Sequence, residues 1–212
     1  MENLIKDFKY LKDNLNNLNS KNLNELDLEK TIFFIVDMNN GFAKKGALYS
    51  DRVEALINPI ANIARVLANK NCDIIAFTDS HTNDSIELRS YPKHCLVDDI
   101  ESDVVDEIKN INGIKIIPKN STNGFFCLED KNFNGIENII VVGDCTDICI
   151  YQFVVTLKAY FNQNNIDKNI IVPIELVDTY NIDKLHNAEI MNTVFLNSMI
   201  QNGIEVIKNI EI

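Results

Sequence analysis

The segment GDCTDICIYQF (143–153) places two cysteines four residues apart, directly after an apolar run, IENIIVV, that reads as a buried strand. Such a pair can clip a metal, cycle a disulfide, or supply a nucleophile beside a bystander. A Cys-x-x-x-Cys spacing is not that of a dithiol oxidoreductase, and no second pair completes a structural zinc site. Nucleophilic chemistry fits better. If Asp147 caps the helix that follows, Cys149 lies in its first turn, where free N–H groups and the helix dipole favour a thiolate. The same amides can bind the oxyanion formed when a carbonyl is attacked. Asp37 is a candidate to take the thiol proton, and Lys119 to hold carboxylate and thiolate in place. The competing reading of Cys149 is a small buried hydrophobe. Cys145 suits that reading better.

The elements that must position these residues are short β-branched runs at 31–37, 72–78, 113–119, 138–143, 169–178 and 203–207. Near-continuous apolar runs of this kind suit strands buried on both faces. Helical periodicity falls between them, at 53–70, 102–110, 147–161 and 183–201. Alternating strands and helices predict an α/β fold, a three-layer α/β/α sandwich around a mostly parallel six-stranded sheet. In such sheets ligands bind outside the carboxyl ends of the strands. Asp37 ends the first run, Asp79 follows the second with His81 beyond it, Lys119 ends the third, and Cys145 to Cys149 follow the fourth. Four successive strand ends thus bring capable residues to one rim. Two polar stretches, 38–50 and 80–99, are long for simple connections and are candidate functional loops.

Composition bounds the possibilities. The 212 residues are 46% hydrophobic and 24% charged, with a net charge of -11. That charge argues against nucleic acid or an anionic membrane as partner. The N-terminus lacks the apolar stretch of a signal peptide, no segment is long enough to span a bilayer, and five unevenly spaced cysteines do not form a secreted disulfide framework. A cytoplasmic protein is expected. Leu4, Phe8, Leu11, Leu15 and Leu18 recur at helical steps, so 1–28 is expected to hold an amphipathic helix packing on the body, 29–212, or on a second subunit.

The residues resemble the isochorismatase-like cysteine hydrolases, and among them the nicotinamidases. FIVDMNNGF is similar to the segment carrying the family's catalytic Asp, here Asp37; IIPKNSTNGFF to the segment carrying its Lys, here Lys119; and GDCTDIC to its G-x-x-T-D-x-C, with Cys149 as nucleophile. The resemblance implies a Rossmann-like topology, a cis peptide between Asp144 and Cys145, and an oxyanion hole made from the N–H groups of Cys145 and Cys149. FTDSHTNDSIELRSYPKHC is similar to the metal segment of nicotinamidases, which implies Asp79, His81 and His94 as ligands of one divalent ion. An Asp with two imidazoles suits zinc, and also iron or manganese. His186, the third histidine, reads as a structural or surface residue on a helix.

The implied activity is hydrolysis of nicotinamide to nicotinate and ammonia, in pyridine-nucleotide salvage, through a Cys149 thioester; the alternative is hydrolysis of another small amide. Dimers or larger homo-oligomers are usual in the family. The chain departs from nicotinamidases around the ring: Ser80 replaces the usual Trp, Thr82 the usual Pro, and there is no Trp anywhere. Phe42, Tyr91 and Phe126 are the candidates to supply a ring face instead.

Overall fold

Thr31–Val36 is buried at all six positions, as a strand covered on both faces must be. The computed structural model describes residues 2–129 and 133–212. Its helices are α1 (Glu2–Asn16), α2 (Asn40–Ala43), α3 (Asp51–Glu54), α4 (Ile57–Asn69), α5 (Asp106–Lys109), α6 (Tyr151–Gln163) and α7 (Ala188–Gln201). Its strands are β1 (Lys21–Asn22), β2 (Thr31–Val36), β3 (Asp73–Asp79), β4 (Lys115–Lys119), β5 (Asn138–Asp144), β6 (Asn169–Pro173), β7 (Val177–Asp178), β8 (Glu205–Ile207) and β9 (Ile210–Glu211).

The main sheet has the order β4-β3-β2-β5-β6-β8, with β7 also paired to β5. Its pairings are parallel. The sheet therefore has seven strands where six were expected. Residues 169–178 do not run as one strand: a 3-10 turn, Ile174–Leu176, follows Pro173. Pro173 lacks an N–H with which to extend a ladder. β6 consequently pairs with the start of β5, and β7 with its end at Gly143 and Asp144.

Side-chain alternation along β2 divides the core in two. Phe33 and Ile35 face the layer containing α4, while Ile32, Phe34 and Val36 face the layer containing α6 and α7. Phe34 stacks on Phe77 at 5.5 Å and meets Phe153 edge-on at 5.0 Å. The helix expected at 53–70 is broken into α3 and α4. Pro59, in the first turn of α4, cannot donate to the preceding turn, so the helix restarts there. The other expected helices are shorter: 102–110 contracts to α5, and 183–201 begins only at Ala188.

α1 lies on α7. Leu15 is buried, Asn197 Nδ2 donates to Leu11 O at 3.2 Å, and Lys12 pairs with Glu189. Leu4 and Ile5 remain exposed. β1 then pairs with β9, joining the N-terminal segment to the other end of the chain. Among the described residues no helix is long and apolar enough to cross a membrane.

Candidate active site

Strand register creates the site. Asp79 and Lys119 are direct partners at the ends of β3 and β4, and Val36, the last residue of β2, pairs with both Phe77 and Gly143. Asp37 extends this arrangement, its N–H donating to Phe77 O at 3.1 Å. Its φ of 54° is in the left-handed region, which Asp tolerates better than most residues. At the end of β5, Gly143 has φ +114°, and a Cβ there would lie 2.0 Å from Val36 O. Only glycine lets the two backbones approach so closely.

Lys119 Nζ lies 2.8 Å from Asp37 Oδ2 and also donates to Asp79 Oδ1. All three side chains are almost fully buried. Burial alone would lower the pKa of Lys119, but Asp37, Asp79 and Cys149 raise it well above its ordinary value. Asp37 is pushed up to about 7, by burial first and then by the charge of Asp79; Lys119 and a hydrogen bond with Cys149 pull the other way. A carboxyl of that kind can exchange a proton near neutrality.

Cys149 is buried, as are Asp37 and Lys119, and interacts electrostatically with both. Asp37, Lys119 and Cys149 are therefore brought together as the sequence suggested. Two details differ. Asp147 does not cap a helix: Cys145 is the N-cap of a π-turn, Thr146–Ile150, that leads into α6, and it makes no side-chain cap bond. The second is the setting of Cys149. Burial pushes its thiol well above its ordinary value, and Asp37 and Asp79 add to this against the pull of Lys119. Asp37 is the carboxyl that hydrogen-bonds the Cys149 thiol.

The Asp144–Cys145 peptide is cis. Cys145 O accepts the N–H groups of Ile148 and Ile150, each at 3.1 Å, passing over that of Cys149. Asp144, which the sequence reading did not single out, is buried at the rim, with burial raising its pKa.

Asp79, His81 and His94 converge, their candidate ligand atoms lying within 4.8 Å of one another. Asp79 Oδ2 is 3.5 Å from His81 Nε2 and 3.6 Å from His94 Nε2. Ligand atoms on a tetrahedral ion with bonds of about 2.0–2.1 Å lie roughly 3.3 Å apart, so the spacing fits. Each ring is oriented through its other nitrogen. His81 Nδ1 is 3.0 Å from Asn120 Oδ1, and His94 Nδ1 is 2.7 Å from Pro92 O. Donation from Nδ1 leaves Nε2 with its lone pair toward Asp79. Buried His81 Nε2 has no hydrogen-bond partner among the described residues. These residues fit a divalent ion. Asn120 was missed in the sequence because its only signal is that it follows Lys119.

A cavity of about 760 Å³ opens over both groups, with Asp79, His94, Asp144, Cys145 and Cys149 among its lining residues. Phe42 and Tyr91 line it as expected, and both rings lie near His94, at 5.6 and 6.1 Å. Phe126 does not: it is 74% exposed and packs against Phe125 outside the cavity. The two rings are consecutive in a 3-10 turn, Gly124–Cys127, so they point different ways. Tyr49 and Tyr180 line the cavity instead. His186 is not on a helix. It closes a turn before α7, bridged to Ile182, and its Nε2 lies 2.8 Å from Asp147 Oδ2.

Comparison with known proteins bears on the family and the fold. Residues 31–209 match the Isochorismatase domain family. Nicotinamidase 1 of Arabidopsis thaliana is 30% identical over 165 residues, a match covering 69% of this chain and 65% of the Arabidopsis protein. Among solved structures, N-carbamoylsarcosine amidase from Thermoplasma acidophilum superposes with a TM-score of 0.69 at 22% identity, covering 84% of this chain and 96% of that one. The yeast nicotinamidase Pnc1p superposes at 0.68 with 17% identity, covering 84% and 99%. At those identities the superpositions speak for the fold alone. The family match spans most of the chain, including each strand end that carries the buried Asp, Lys and Cys: this chain belongs to the isochorismatase family of hydrolases.

Proposed function

We propose that the protein is a metal-dependent cysteine amidohydrolase that converts nicotinamide and water to nicotinate and ammonia. The observation that carries this reading is the sharing of one cavity by Cys149 and the Asp79–His94 pair, joined through Lys119 to Asp37. The amide carbonyl is set against the Cys149 sulfur. Asp37 takes the thiol proton as the sulfur attacks, and the N–H groups of Cys145 and Cys149 receive the oxyanion. Asp37 then gives its proton to the leaving nitrogen, ammonia departs, and a thioester remains. In the second half Asp37 takes a proton from water as it attacks the thioester, and the thiol is restored. Lys119 holds Asp37 in place and offsets the charge of two carboxylates. A divalent ion held by Asp79, His81 and His94, zinc by the ligand chemistry, would supply a Lewis-acidic anchor for a ring nitrogen.

A second reading keeps this chemistry on a different small carboxamide. It is favoured by the ring pocket, which has no Trp and draws on Phe42, Tyr49, Tyr91 and Tyr180. Ammonia release from nicotinamide by purified protein, with Cys149→Ala and metal-stripped protein as controls, separates the two. Turnover lost in both controls is expected. No turnover of nicotinamide, with Cys149-dependent hydrolysis of other amides, moves the assignment to the second reading.

A further inference from the structure

We infer that Tyr180 is a specificity-determining wall of the substrate cavity, positioned by a His186–Asp147 clip to the turn that carries the nucleophile. The inference rests on the proposed amide hydrolysis insofar as a substrate occupies this cavity. Tyr180 lines the cavity. Its ring stacks on the His186 ring, with centroids 3.9 Å apart and planes 18° apart. His186 Nδ1 lies 2.9 Å from Tyr180 O, and Nε2 lies 2.8 Å from Asp147 Oδ2. One imidazole thus bonds the backbone of the wall residue, packs on its ring, and reaches the nucleophile turn two residues before Cys149.

The segment between them is a tight turn. Ile182 N donates to His186 O at 2.8 Å, His186 N donates back to Ile182 O at 2.9 Å, and Lys184 has φ +63°. Its tip is in solvent, with Leu185 81% exposed. Asn181 Oδ1 and Asn187 Oδ1 fasten the base to the start of α7 by accepting Ala188 N and Ile190 N. Toward the catalytic side, the His186–Asp147 bond ties this turn to the π-turn. A ring held in this way presents a fixed face to a planar substrate at little entropic cost on binding. Its contribution is to binding, present before and during reaction, so its loss is felt in KM more than in kcat.

Steady-state kinetics on nicotinamide test this with Tyr180→Ala, His186→Ala and the double variant. Tyr180→Ala should raise KM roughly fivefold or more, with a smaller loss in kcat. His186→Ala should follow it, and the double variant should be no worse than Tyr180→Ala, because positioning through an absent ring has no effect. An unchanged KM in Tyr180→Ala, or effects that multiply in the double variant, overturns the inference. Alkylation of Cys149 by iodoacetamide, followed by peptide mass because Cys127 is exposed and would react as well, needs no turnover. Both single variants should accelerate it by about threefold or more, since the wall no longer restricts access to the sulfur. An unchanged rate overturns the wall. If the wild type releases no ammonia from nicotinamide, the substrate assignment fails, and the alkylation rates alone decide the wall.

Discussion

Lys119 and Asp79 are register partners at the ends of neighbouring strands, and the Lys119 ammonium binds Asp79 and Asp37 at once, at 2.8 Å from the latter. One buried cation thereby joins the candidate metal ligands to the candidate base. Its charge offsets the desolvation that both carboxyl groups suffer at so little exposure.

Replacing Lys119 by Met removes the cation shared by two buried carboxyl groups. The expected loss of stability is about 3–5 kcal/mol, the cost of breaking a buried pair by removing one partner. Urea unfolding measures it. Since Met is apolar and nearly as long, the loss reflects charge more than a cavity. A midpoint equal to that of the wild type would show that the triad is not held by this ion pair.

The acid limb of activity should report Asp37. Its pKa of about 7 lies above that of an ordinary carboxyl, so the group is protonated, and unable to take the thiol proton, below that value. The log of kcat/KM should therefore fall with decreasing pH, approaching about tenfold per unit below pH 7. A profile flat down to pH 5 would remove Asp37 from the role of base.

Asn120 should tune metal affinity without touching the ion. Its Oδ1 accepts from His81 Nδ1 and fixes that ring. Asn120→Ala should weaken metal binding about 10–100-fold, as loss of such an outer hydrogen bond does elsewhere. Competition with a chelator of known affinity reads this directly. His81→Ala should abolish stoichiometric binding in the same assay.

The two cysteines should separate cleanly. Cys149→Ala removes the nucleophile and should abolish ammonia release. Cys145→Ala should keep most of it, because the proposed contribution of Cys145 is its N–H, while its Sγ hydrogen-bonds Asp144 Oδ2, at 3.5 Å, and Thr179. Comparable losses in the two variants would give the Cys145 thiol a role of its own.

Gly143→Ala should lose stability by about 1–3 kcal/mol or more, the range for overpacking a filled site. The added Cβ meets Val36 O at 2.0 Å, in a backbone conformation that disfavours side chains. Because β5 aims Cys145 and Cys149, activity should fall as well. Thermal unfolding and ammonia release together check both.

Much of the site was legible in the chain because parallel α/β sheets bring strand ends to one rim. β-branched runs located β2, β3, β4 and β5, and Asp37, Asp79, Lys119 and Cys149 stand at or just beyond their ends. The elements that resisted reading were those set by local exceptions. Pro173 and Pro59 divide segments whose hydrophobic pattern is continuous, and Phe125 and Phe126 are alike in sequence but occupy different surroundings.

By itself the sequence determined the α/β class, the order of the main strands in the chain, and the residue types available at the rim of the sheet, since these follow from periodicity and from chain direction. Tertiary structure decided protonation and partnership. Whether Cys149 rests as thiol or thiolate depends on its burial and on charges from β2, β3 and β4. Whether His186 has a partner depends on Asp147, thirty-nine residues away. Desolvation and cross-strand charge are properties of what surrounds a group in space, and a one-dimensional pattern carries no measure of them.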